Sequence, residues 1–183
     1  MTRPGHLAGP SMLREREMPP DIELRPEEPH DHAAVERLYV AAFGPGRHSR
    51  TAALVRGSVP HDLATSFVAV RRGLVIGAIR QAPARIEDAP AFLLGPLAVA
   101  ETAAKQGIGR ALLNRSTAAG EVLGAHATVL IGDPAFYGPS GFARIDGGAI
   151  WLDAPVEPHR FLVRLPEGAA MPRGRLVVET WGA

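Results

Sequence analysis

The sequence predicts an α/β domain with a mixed sheet, and three observations carry that reading. Short runs of alternating apolar residues are interleaved with stretches whose apolar residues recur at helical spacing. Along the chain these follow the order β, α, α, β, β, β, α, β, short α, β, β. The length of 183 residues, with 46% hydrophobic and 21% charged, suits one domain with a single core.

Residues 1–20 read as a polar, Pro-rich tail, expected to be disordered. It lacks the apolar stretch of a signal peptide, and Met12 and Met18 within it leave the natural start open. The folded part is expected over residues 21–165, with 166–183 as a C-terminal extension packing on it. Ile22 and Leu24 alternate with charged residues in a first strand. Ala34, Val35, Leu38, Ala41 and Ala42 then fall at helical spacing, with Asp31 as the expected N-cap. A second short helix is predicted over 49–57, capped by Ser49. SFVAVR and LVIGAIRQAPARI read as a hairpin around Arg72-Gly73. AFLLGPLAVA is the next strand, and Gly95-Pro96 inside it predicts a bend or bulge, because proline cannot donate a ladder hydrogen bond. Ile108, Ala111, Leu112, Ala119, Val122 and Leu123 form the apolar stripe of a helix ending at Gly124. HATVLIG, GFARIDGGAIWL and HRFLVRL read as strands, with DPAFYGPSGF as a loop or short helix, and LVVETW as one more candidate strand.

The bulk numbers exclude several classes. A formal net charge of +1 gives no field to draw nucleic acid or an anionic membrane. The chain has no cysteine, so disulfides, thiolate catalysis and Cys-ligated zinc are out. The longest mostly apolar run, Ala91 to Ala100, is about half of the ~20 residues a membrane span needs. A cytoplasmic location is expected.

The stretch that carries chemistry is KQGIGRALL, which follows a strand and opens a helix. The first N–H groups of a helix lack internal partners, and the helix dipole adds partial positive charge there. Glycine lets a ligand approach the backbone. Gly107 and Gly109, flanked by Lys105 and Arg110, therefore read either as a seat for a phosphate or pyrophosphate, or simply as a tight turn. A P-loop would need Gly-Lys-Ser/Thr, and a dinucleotide fingerprint a third glycine where Leu112 stands, so neither fits.

In context, LLGPLAVAETAAKQGIGRALL resembles the strand, Gln/Arg-x-x-Gly-x-Gly/Ala turn and helix of the GNAT superfamily of acyl-CoA-dependent N-acyltransferases, in particular its small bacterial branch. AFYGPSGF is similar to that family's Phe-Tyr-x-x-x-Gly-Phe segment, and it also follows a strand. The resemblance covers residues 21 to 165; its first turn position is Ala104 rather than Gln or Arg, a departure from the pattern.

The resemblance implies a mostly antiparallel central sheet flanked by helices, with a bulged central strand. It implies acetyl-CoA as cosubstrate and no metal. The pyrophosphate would lie on the amides of Gln106, Gly107, Ile108, Gly109 and Arg110, beside Lys105, and the pantetheine arm would pair with Leu97, Ala98 and Val99. An amine would attack the thioester directly, and Tyr137 would serve as general acid for the CoA thiolate. The base stays unassigned among Glu101, Asp133 and a water chain. Gly132-Asp133-Pro134 stands where the family often has an Asn for the pantetheine. The acceptor would be a small-molecule or peptide amine, with no nucleic acid or membrane partner, and a homodimer is compatible with the family. A non-catalytic acyl-CoA sensor of the same fold, and an adenine-nucleotide binder, are the rival readings. His30, His32 and His48 are read as surface groups rather than metal ligands, Arg71-Arg72 as a solvated turn, Ser140 as no nucleophile, and Trp151 and Trp181 as packing residues. Glu27, Glu28 and Asp31 are read as a solvated helix start.

Overall fold

The computed structural model of the chain describes residues 18–46 and 51–181. The expected tail up to residue 17, the Ser49 cap and His48 lie outside the described residues. Nine strands and four α-helices follow one another: β1 (Ile22–Pro26), α1 (His32–Phe43), α2 (Thr51–Arg56), β2 (Phe67–Arg71), β3 (Leu74–Ile86), β4 (Ala89–Val99), α3 (Ile108–Val122), β5 (Ala127–Ile131), α4 (Pro134–Tyr137), β6 (Ala143–Arg144), β7 (Ile150–Trp151), β8 (Phe161–Arg164) and β9 (Gly174–Val178) among those residues. The main path of the sheet runs β1-β2-β3-β4-β5-β8-β6. Its neighbours are antiparallel except β4 and β5, which pair in parallel through Ala91–Leu93 and Ala127–Val129.

The 13 residues of β3 make it the spine. One edge takes β4 along almost its whole length. The other edge is shared: β2 covers Leu74–Ile79, and β9 covers Ala84–Ile86. Successive strand residues face opposite sides. Accordingly Ala78 packs with Val35, Leu38 and Tyr39 of α1, while Ile79 packs with Ile108, Leu112 and Leu113 of α3. The two helices therefore cover opposite faces. Full burial of a side chain such as Leu112 contributes about 1.5–3 kcal/mol.

Several expectations need correction. Val122 and Leu123 are exposed at 86% and 47%. The face of α3 that is buried continues instead through Ser116, Thr117 and Gly120. Helix geometry places these small residues against the sheet, and their hydroxyls are satisfied by the Thr65 and Leu113 carbonyls. On α1, Tyr39 is buried whereas Ala41 and Ala42 face outward. The run GFARIDGGAIWL is not one strand: Gly147 and Gly148 both adopt positive φ and divide it into β6 and β7. Asp31 does not cap α1 with its side chain; it accepts two bonds from Arg25 and one from the Glu28 amide. Nor is that acidic stretch solvated throughout, because Glu27 and Asp31 are 3% and 4% exposed. Arg71 is likewise held, by Asp21 and Gln106, rather than free in its turn.

The last described residue fastens the C-terminal segment. Trp181 donates from Nε1 to the Ala84 carbonyl at 2.7 Å, and its ring lies 4.6 Å from that of Phe92. Trp181→Ala is expected to cost about 1–3 kcal/mol in urea unfolding, through lost ring contact and an unmet carbonyl on β3.

Candidate active site

The site begins with a miscount between two strands. Ile79 opposes Leu97, but Gln81 opposes Leu94, so Gly95 and Pro96 together stand against Arg80. This is the expected bulge. Gly95 has φ +128, a conformation that side-chain-bearing residues rarely adopt, and the Gly95-Pro96 peptide is cis. β4 pairs with β5 only as far as Leu93. Beyond it the two strands part, and β4 has an open edge from Leu94 to Val99.

A cleft of about 1660 Å³ fills the split. Leu97, Ala98 and Val99 line one side, and Ile131, Gly132, Asp133 and Tyr137 line the other. Lys105, Gly107, Ile108, Gly109 and Arg110 also line it. Gly107 is the N-cap of α3 at φ +82, and no side chain caps the helix. The amides of Ile108, Gly109 and Arg110 therefore start α3 without an intrahelical acceptor. Gln106 does not line the cleft; its side-chain oxygen accepts from Arg71 at 2.6 Å. Glu101 is exposed on a 3₁₀ turn and is also absent from the lining. Asp133 reaches the cleft, but its carboxylate caps α4 by accepting from the Ala135 amide at 2.9 Å.

Tyr137 is half-buried between Phe136 and Phe142, at ring distances of 4.8 and 5.8 Å, both edge-on. Its ring also lies on the bare backbone of Gly132, where an added Cβ would sit 2.3 Å from the ring carbon Cε2. The glycine that ends β5 is thus what admits the tyrosine. Burial pushes the phenol up to about 12, against a weaker opposing pull from Arg160.

A second cluster gathers at the bulge and was missed in the sequence. Arg80 is 5% exposed. It donates to both oxygens of Glu27 and, at 2.6 Å, to Glu36 of α1, while its guanidinium carbon lies 5.4 Å from the centre of the Tyr39 ring. Tyr39 donates its hydroxyl to the Pro96 carbonyl at 3.0 Å, and Arg56 of α2 donates to the Gly95 carbonyl at 2.7 Å. Glu36, Tyr39, Arg56 and Arg80 all line the cleft. The available signal was Arg80-Gln81, polar residues in the middle of the otherwise apolar run LVIGAIRQAPA. Burial alone would raise the Glu27 carboxyl, but the Arg80 hydrogen bonds and the His61 contact outweigh it and hold the group at about 2, below its usual 4.5. Tyr39, by contrast, is pushed up by burial and stays a neutral donor. Among the described residues no group of three or more His, Asp or Glu could hold a metal, and His30 and His32 lie exposed at the start of α1.

These features define a class: a mixed sheet split beside a bulged central strand, with an uncapped helix start in the split. No family model and no curated protein matches the chain. Solved structures do. A GNAT family acetyltransferase from Brucella melitensis, in complex with acetyl-CoA, is 27% identical with a TM-score of 0.66, over 86% of this chain and 96% of that one. The GNAT family N-acetyltransferase YhbS from Escherichia coli, in complex with CoA, has a TM-score of 0.75 at 24% identity, over 87% and 90% of the two chains. Naa50 from Arabidopsis thaliana, with the bisubstrate analogue CoA-Ac-MVNAL, matches at 0.56 and 17% identity, over 78% and 97%. The chain belongs to the GNAT superfamily.

Two outcomes follow from the site's packing. Gly132→Ala is expected to displace the Tyr137 ring, read as loss of tyrosine order in side-chain NMR with the global fold intact. Glu27 has a folded pKa below its unfolded value, so its stabilisation is complete above about pH 4.5 and is lost as the pH falls toward 2. Urea unfolding should find Glu27→Gln less stable than the parent near neutral pH, with the gap narrowing over that acid range.

Proposed function

We propose that the protein is an N-acetyltransferase that moves an acetyl group from acetyl-CoA to a primary amine. One observation carries the reading: Tyr137 and the uncapped start of α3 face the same cleft along the open edge of β4. The free amides of Ile108, Gly109 and Arg110, with Lys105 beside them, suit a pyrophosphate. Gln106 would take part through its backbone amide alone, since its side chain is engaged by Arg71. The exposed edge at Leu97, Ala98 and Val99 suits the amide groups of a pantetheine arm, which would add to the sheet like a strand. An N–H on that edge would polarise the thioester carbonyl. The cleft exceeds the roughly 300–1,000 Å³ of ordinary small-ligand sites, as a site for two reactants requires.

In the transfer, the amine nitrogen bonds to the thioester carbon, the carbon–sulfur bond breaks, and the thiolate takes the Tyr137 proton. The proton released by the nitrogen restores the phenol. Burial keeps that phenol protonated through neutral and mildly alkaline pH, so it is available as a donor. Asp133 is engaged as a cap and Glu101 lies away from the cleft, which favours water over either as the carrier of the amine proton. A non-catalytic acyl-CoA sensor is favoured by one feature, Ala104 at the first position of the glycine turn.

Tyr137→Phe decides between the two. The enzyme reading expects kcat to fall about 10²- to 10⁴-fold, with acetyl-CoA affinity by calorimetry nearly unchanged. Unaltered turnover would remove Tyr137 from the mechanism. Tighter binding of free ATP or NAD than of acetyl-CoA would overturn the cosubstrate.

A further inference from the structure

Arg56 is the unusual charge in the cleft. It is half-buried, and among the described residues no carboxylate lies within ion-pair distance of it. Its one hydrogen bond goes to the Gly95 carbonyl, and its Nε is buried without a partner. Burial lowers its affinity for the proton, as expected of a cation removed from water with little compensation. Arg80, close by, differs: Glu27 and Glu36 already balance it. Glu27 is sealed from solvent, but Glu36 is about one-third exposed and lines the cleft. The bulge therefore turns to the cleft a guanidinium that no carboxylate balances. An acceptor that carries a carboxylate answers it, whereas a purely cationic acceptor would be opposed by its like.

We propose that the acceptor is a free amino acid, its carboxylate held by Arg56. The assignment rests on the acetyltransferase reading above. Guanidinium presents a planar fork of donors matched to a carboxylate, and a lysine does not. Arg56 is fixed to the bulge through the Gly95 carbonyl, where the open edge of β4 begins. A bound amino acid would thus stand beside the edge assigned to the thioester.

The test measures acetyl-CoA-dependent thiol release with amino acids and with the matching amines that lack the carboxylate. The expected result is a preference for the carboxylated member of each pair, with kcat/KM higher by roughly 100-fold or more. In Arg56→Gln that ratio should collapse toward unity, and Arg56→Lys should restore it only in part. Acetyl-CoA binding is measured by calorimetry on the same samples. If acetyl-CoA binds but each pair is turned over equally, or the preferred acceptors are polyamines or peptide lysines, the amino-acid assignment is overturned and the transferase reading stands. An Arg56→Gln ratio equal to the parent's would likewise remove Arg56 from carboxylate recognition, leaving it as a clamp on the bulge. If acetyl-CoA does not bind, both readings fall together.

Discussion

The structure turns on the bulge in β4. Two residues of that strand, Gly95 and Pro96, oppose one residue of β3, and β4 leaves β5 just before them. A bulge sharpens the local twist and leaves backbone groups unpaired. Here it coincides with the opening of the sheet into a cleft. Both bulge carbonyls are nevertheless answered, by Tyr39 from α1 and Arg56 from α2. The irregularity in the sheet is therefore held by side chains from α1 and α2, and it serves as the floor of the charged cluster.

Around that floor, each element of the site depends on a small local fact. Gly107 takes the left-handed conformation and starts α3 without a side-chain cap, which leaves its first amides available. Gly132 has no Cβ, which lets Tyr137 lie on the end of β5. Arg80 is paired with two carboxylates, so a full charge can stand within the sheet at all. A buried ion pair contributes little net stability compared with apolar packing, but breaking it by removing one partner costs about 3–5 kcal/mol. Through Arg80 and Glu36, which line the cleft, the cluster also sets the charge there.

Much of this was legible in the sequence. The Gly95-Pro96 pair in an apolar run announced the bulge, because proline has no N–H to give a ladder. The glycine turn and the Phe-Tyr-Gly segment were legible through their resemblance to the family pattern, and the structure brings both to the cleft. What was misjudged concerned faces and partners. Val122 and Leu123 look like core residues by spacing but fall beyond the sheet that α3 covers. Glu27 and Asp31 look like a solvated helix start, yet arginines from β3 and β1 draw them inside.

By itself, then, the sequence determined most of the succession of strands and helices, the division of β6 from β7 apart, together with the position of the bulge and the glycine-rich helix start. Each depends on neighbours within a few residues, through periodicity, proline chemistry and backbone freedom. Only the tertiary structure decided that Arg80 meets Glu27 and Glu36, separated from it by 53 and 44 positions, and that Arg56 reaches Gly95 across 39. Such pairings arise when β1, α1 and α2 converge on the middle of the sheet. No local pattern encodes which charges will then be balanced, and in this chain that balance sets the charge along one side of the cleft.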